Sequence, residues 1–215
     1  MNDIKKLTND IFADLQRLID ETPDKPQAPE EPRPDLKRYI WTSTNIPKRY
    51  REEWERPGDS KWNEQFSKVV ERCKSGGIVA MIGPRGHGKT RFAAEAVRDV
   101  CPNASRYTTA MQLFLRVRSS YAKTAEETEE RIVQDLSKCP LLVIDETQER
   151  GNTEWEDRML THIIDARYGG MLPTIIIANL TKGELVKALG DSITSRLMET
   201  GGIMEVNDTS HRIQE

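Results

Sequence analysis

Cysteine is scarce in this 215-residue chain. There are three, Cys73, Cys101 and Cys139, odd in number, far apart and without a C-x-x-C pair. That excludes a disulfide framework or a zinc knuckle as the basis of the fold and predicts reduced thiols. The three histidines, His87, His162 and His211, share no metal-ligand spacing. Long apolar runs are also missing: no stretch of 18 such residues and no basic-then-apolar leader occurs, so the sequence predicts a cytoplasmic protein, neither secreted nor membrane-spanning. Charge of one sign is not in excess either. Lys and Arg total 32 against 35 Asp and Glu, a formal net charge of -3, so any contact with nucleic acid has to be a local patch rather than a bulk positive field. No internal repeat is visible, and the length suits one domain of ordinary size plus a tail.

What is present centres on Gly77 to Thr90, GIVAMIGPRGHGKT. A short apolar run reads as a strand buried on both faces. It leads into Gly83, Pro84, Arg85, Gly86, His87, Gly88, Lys89 and Thr90, the G-x-x-x-x-G-K-[ST] pattern of a phosphate-binding loop. Glycines serve such a loop because several consecutive backbone N–H groups must turn inward on a polyphosphate, and a side chain would obstruct positive φ or close approach. The helix formers after Arg91 place the polyphosphate at a helix N-terminus. Lys89 is expected to reach the β- and γ-phosphates, and the Thr90 hydroxyl to ligate Mg²⁺. Read alone, the same glycines and lysine could be a surface turn; the flanking strand and helix favour nucleotide binding.

Ile4, Leu7, Ile11, Leu15 and Leu18 recur at steps of three and four, which predicts an amphipathic helix over 3–20, within an N-terminal segment 1–20. Residues 21–36 follow with five of the chain's 11 prolines and predict an extended, acidic, disordered linker. A helix beyond such a linker suggests partner binding, with self-association or docking on the main domain as the alternatives. Residues 37–57 mix basic and aromatic side chains around Ile46-Pro-Lys-Arg-Tyr-Arg51; these suit either nucleic acid or an adenine pocket. Trp62, Phe66, Val69, Val70 and Cys73 form a helical stripe expected to pack on a sheet.

Further strands are predicted at 105–108, at Leu141-Leu-Val-Ile-Asp145-Glu146, at Thr174-Ile-Ile-Ile-Ala-Asn179 and at 203–206. A helix is expected from about Thr109 to Tyr121. Capping boxes at Thr124-x-x-Glu127, Thr153-x-x-Glu156 and Thr181-x-x-Glu184 each predict a helix start. A further short helix is expected from Asp191 to Met198. Strands alternating with helices give a parallel α/β sheet with helices on both faces. Two acids directly after a buried strand are awkward unless a cation meets them, so Asp145 is expected to hold Mg²⁺ and Glu146 to polarise the attacking water. Asn179 would orient that water. Arg196 suits either a surface charge or an arginine finger reaching a neighbouring subunit's nucleotide.

The set GPRGHGKT, LLVIDE, IIIAN and ITSRLM, with NIPKRYR upstream and the terminal SHR, resembles the AAA+ ATPases of the DnaC type, the loaders of replicative helicases. The likeness runs from about Ile46 to Arg212. By that resemblance the P-loop NTPase domain spans 37–215, Lys89 and Thr90 are Walker A, Asp145 and Glu146 Walker B, Asn179 sensor 1 and Arg196 the trans-acting finger. Arg212 looks like a further arginine near the nucleotide. The resemblance also implies an ATP-dependent homo-oligomer that grips single-stranded DNA through the helix around Phe114, Arg116, Arg118 and Tyr121. It implies that residues 1–20 engage the replicative DNA helicase, in a bacterial cell or as a phage protein within one. Two departures stand out. Only nine residues follow Val206, leaving no room for the C-terminal helical lid of most AAA+ proteins, as in loaders of this type. The part before the linker is one helix rather than a small domain. A transposition helper ATPase of the IstB type shares nearly all these motifs, and a non-hydrolysing nucleotide-dependent adaptor is the third reading, against which Glu146 argues.

Overall fold

The structure, a computed structural model, describes residues 44–206 apart from 53, 54, 57 and 59. The expected N-terminal helix, the proline-rich linker, the first part of the basic and aromatic segment and Arg212 lie outside the described residues. Five strands, β1 (Ile78–Ile82), β2 (Arg106–Thr109), β3 (Leu142–Asp145), β4 (Thr174–Ala178) and β5 (Gly202–Glu205), make one sheet in the order β2-β3-β4-β1-β5. Every neighbouring pair is parallel. The C-terminal ends of β1, β3 and β4, where the loop, Asp145 and Asn179 follow, therefore open on one edge of the sheet.

Helices cover both faces: α1 (Ser60–Lys74), α2 (Lys89–Val100), α3 (Ala110–Ser119), α4 (Glu129–Lys138), α5 (Glu154–Gly169) and α6 (Lys182–Thr200). Because side chains alternate along a strand, each strand feeds two cores. Val79, Met81, Val143, Ile175 and Ile177 pack with Trp62, Phe66 and Val69 of α1 and with Phe92 and Val97 of α2. Ile78, Ala80, Ile82, Leu142, Ile144 and Ile176 face the other way, against apolar residues of α3 to α6. The stripe on α1 is therefore core, with Trp62 stacked on Phe66 at 4.9 Å between ring centroids. No helix of the described residues is long and apolar enough to cross a membrane.

The helix starts follow local capping chemistry, with one correction. Thr153 with Glu156 and Thr181 with Glu184 form full capping boxes, and so does Thr109 with Gln112 at the start of α3. The box expected at Thr124 does not form. Helix α4 begins four residues later, with the Thr128 hydroxyl accepting from Arg131 N, because Glu127 is drawn instead into a two-pronged bond with the Arg116 guanidinium at 2.9 and 2.8 Å. The two helices expected between 182 and 200 meet at Gly190, whose φ of 74° and ψ of 170° break the helical run, a conformation that suits glycine.

One buried arginine ties the layers together. Arg167 of α5 is 0% exposed. It donates to the carbonyls of Leu136 and Cys139, both at 2.8 Å, and to Thr174 Oγ1 at 2.7 Å. These are carbonyls left over at the C-terminal end of α4 and the first residue of β4. Burial lowers the guanidinium's pKa, and its partners are carbonyls, a hydroxyl and the Cys139 sulfur rather than a carboxylate. Arg167→Ala strands those acceptors and opens a cavity, so it is expected to lower stability by about 3 kcal/mol, read as a reduced urea midpoint at unchanged slope.

Candidate functional site

The loop between β1 and α2 turns on glycines at positive φ, 138° at Gly83, 87° at Gly86 and 78° at Gly88. Gly88 is also the N-cap of α2, so the loop delivers its backbone N–H groups to a helix N-terminus, an arrangement suited to anions. Lys89 is only 5% exposed. Its Nζ donates to the carbonyls of Gly83 at 2.8 Å and Pro84 at 2.7 Å, so the loop satisfies its own lysine. Burial lowers the Lys89 pKa, while the charge of Asp145 works in the opposite direction.

Asp145, at the end of β3, is buried and fully engaged. Its Oδ2 accepts from Thr90 Oγ1 at 2.7 Å and from the Tyr107 hydroxyl at 2.8 Å, and its Oδ1 accepts from Glu146 N at 2.7 Å. Glu146 is exposed and takes left-handed backbone angles, φ 52° and ψ 42°, which cost a non-glycine residue roughly 1–2 kcal/mol. The turn that follows is stitched to β4. Thr147 Oγ1 donates to the carbonyl of Ile177 at 3.0 Å, and Asn179 N donates to Gln148 Oε1 at 3.0 Å.

Arg85, Gly86, His87, Gly88, Lys89, Thr90, Asp145, Glu146 and Asn179 line one cavity of about 880 Å³, with Gly83 and Pro84 behind it. That is large enough for a nucleotide. Arg85 reaches across its mouth to pair with Glu149. Among the described residues no cluster of three or more His, Cys, Asp or Glu is placed to hold a metal. One hydroxyl and one carboxylate, Thr90 and Asp145, are the hard oxygen donors that Mg²⁺ takes when phosphate oxygens and water complete its shell, so the residues present fit a Mg²⁺-nucleotide. A second hollow, of about 730 Å³ between α4 and α5 and lined partly by Trp155 and Met159, contains none of the predicted site residues.

Of the two uses open to the basic and aromatic segment, the geometry favours the nucleotide side. Arg49, Tyr50 and Glu52 line the same cavity. The segment is strapped to α2 from below: Arg91 donates to the carbonyls of Arg49, Tyr50 and Glu52 at 2.8, 3.3 and 3.2 Å, and Arg98 to those of Arg51 and Glu52 at 3.4 Å. Between these arginines lies the buried Glu95 carboxylate, 4.0 Å from Arg91, 3.8 Å from Arg98 and 3.6 Å from Arg56. Arg91, Glu95 and Arg98 share one helical face, a spacing that signals an ion cluster but not the strap it holds.

Arg196 does not line the cavity of its own chain. It bonds to Ser192, lies 3.0 Å from Asp165 Oδ1 and sits over the Tyr168 ring. The residues expected to meet DNA are split. Phe114 is corrected: at 2% exposure it packs edge-on against Trp155 in the core and has no face to offer a strand. Arg116 is committed to Glu127 and Asp135. Arg118 pairs with Glu156 at 3.1 Å and lies over Trp155. Tyr121 is 59% exposed and bonds to Glu129. Two residues that the sequence reading missed, Tyr107 and Gln148, hold Asp145 and Asn179 in place. Strand alternation puts Tyr107 on the same face as its neighbour's Asp145, but only once β2 is known to lie beside β3.

With this geometry in hand, similarity to known proteins is informative. The family model described as IstB-like ATP binding protein matches residues 70–215. A curated relative, the replicative helicase loader DnaC of Escherichia coli (strain K12), is 26% identical over 126 residues, 57% of this chain and 51% of the relative. The chain thus spans about half the length of the curated relatives it matches. Among solved structures, the DnaC helicase loader superposes with a TM-score of 0.61 at 19% identity over 75% of this chain and 100% of that one. The replication initiator DnaA bound to AMPPCP and single-stranded DNA gives 0.61 at 18% over 77% and 52%. Both share the fold.

The strap makes a testable case by itself. Removing the Arg91 guanidinium strands the Arg49 and Tyr50 carbonyls and leaves Glu52 to Arg98 alone, so Arg91→Ala is expected to speed tryptic cleavage after Lys48, Arg49 and Arg51 about tenfold while the rest of the domain resists, as limited proteolysis would show.

Proposed function

The chain belongs to the IstB-like ATP binding protein family and is an AAA+ ATPase of the DnaC/IstB type, and from that premise we propose that it is an ATP-dependent loader of a replicative DNA helicase. The observation that supports the reading best is the convergence of the phosphate loop, Asp145, Glu146 and Asn179 on one cavity. A pure nucleotide-binding adaptor has no use for an exposed carboxylate held beside the loop by a strained backbone.

In this reading Lys89 gives up the Gly83 and Pro84 carbonyls to bind the β- and γ-phosphates, and Thr90 with Asp145 holds Mg²⁺. When bound, that ion neutralises charge on the phosphates. Glu146 polarises the attacking water and Asn179, steadied through Gln148, orients it. Arg196 is directed at the nucleotide of an adjoining copy, which suits its place outside its own cavity; Arg212 is assigned a second contact near the nucleotide. ATP at subunit junctions sets the homo-oligomer, and hydrolysis resets it. Single-stranded DNA runs along α3 past Arg118 and Tyr121, and Arg116 joins only if it is released from Glu127 and Asp135. Residues 1–20 capture the helicase. The protein works in the cytoplasm of a bacterial cell, as a host or phage protein. The family description alone also suits an IstB-type transposition helper, but curated relatives such as the Escherichia coli protein are helicase loaders.

Two experiments test this. Lys89→Ala should abolish ATP binding, whereas Arg196→Ala should keep binding and lose assembly-dependent hydrolysis by about 10³-fold; equal turnover by wild type and Arg196→Ala under assembling conditions would count against the finger. Removing residues 1–20 should spare ATPase activity and end co-elution with the replicative helicase. Capture of a transposase by those residues instead would favour the helper.

A further inference from the structure

Tyr107 stands on the face of β2 that packs toward α1 and α2, with its ring in the apolar core. A buried hydroxyl is costly unless it has a partner, and here the partner is the carboxylate of Asp145, at 2.8 Å. The bond goes to Oδ2, the same oxygen that accepts from Thr90 Oγ1 at 2.7 Å. The other oxygen is held by Glu146 N. At its backbone Tyr107 donates N–H to the carbonyl of Thr44 at 2.8 Å, which fixes the residue from the opposite side. Burial first, and then the negative charge of Asp145, raise the phenol's pKa. The phenol O–H serves Asp145 as a donor.

We propose that Tyr107 is a positioning residue for the divalent cation that accompanies the nucleotide: by occupying one lone pair of Asp145 Oδ2 from a fixed direction, it sets the carboxylate plane so that the other lone pair of that oxygen faces Thr90. The proposal rests on the nucleotide-binding reading of the site. A bond to a ligand's outer face typically controls metal affinity by 10–100-fold. Tyr107 is not expected to touch nucleotide, because it does not line the cavity that Thr90 and Asp145 line.

The test uses the full chain and a fluorescent ATP analogue, titrated first in EDTA and then with rising Mg²⁺. Tyr107→Phe keeps the ring and removes only the hydroxyl. The expected result is unchanged affinity in EDTA together with about a tenfold higher Mg²⁺ half-saturation. On an Asp145→Asn background, Tyr107→Phe should add nothing. An unaltered Mg²⁺ half-saturation in Tyr107→Phe would overturn the proposal while leaving nucleotide binding intact. An equal loss in EDTA and in Mg²⁺ would also overturn it, since that marks a purely structural residue. Wild-type protein that binds no nucleotide would remove this proposal and the reading beneath it together.

Discussion

A carboxylate placed at the end of a buried strand must be met by donors, or it destabilises everything around it. Asp145 meets that requirement with three: a hydroxyl from α2, a hydroxyl from β2 and the backbone N–H of the next residue. Those bonds do more than solvate a charge. They join the loop helix, the edge strand β2 and its neighbour β3, so the loop cannot shift against the acidic strand end without breaking bonds to Asp145. The pairing of Thr109 with Asp145 then places Tyr107, two residues back on the same face, within reach. The geometry of the cavity is in this sense set by one side chain.

The wall formed by residues 46–52 is held on a different principle. It has little regular backbone pairing, so its carbonyls need outside donors, and Arg91 and Arg98 supply them from α2. Two guanidinium groups in a half-buried position would repel each other, and Glu95 beneath them offsets that. Ile46 adds an apolar anchor in the core. This wall of the cavity is thus joined to the helix that follows the phosphate-binding loop.

What could be read from the sequence was local. The phosphate loop, the strand ending in Asp145 and Glu146, and the boxes at Thr153 and Thr181 each carry their own chemistry within a few residues, and each formed as expected. The box at Thr124 failed because its glutamate had a better partner 11 residues away in Arg116, which no local pattern reports. Phe114 was misplaced although its own helix carries the signal: Ala110, Leu113, Phe114 and Val117 make one buried stripe at helical spacing, and Met111 and Leu115 lie off it and stay exposed. Tyr107, Gln148 and Arg167 were invisible as functional or structural keys, since their roles depend on which strand or helix lies next to them. The parallel order of the strands, by contrast, follows from alternating elements and was legible before any contact was known.

The rim of the sheet has one more consequence. On β2 the alternate N–H groups that point away from β3 belong to Tyr107 and Thr109; the first is taken by Thr44 and the second by the side chain of Gln112. At the far side, β5 is four residues long. An edge whose outward N–H groups are taken, and another only four residues long, are poor templates for a foreign strand to zip onto.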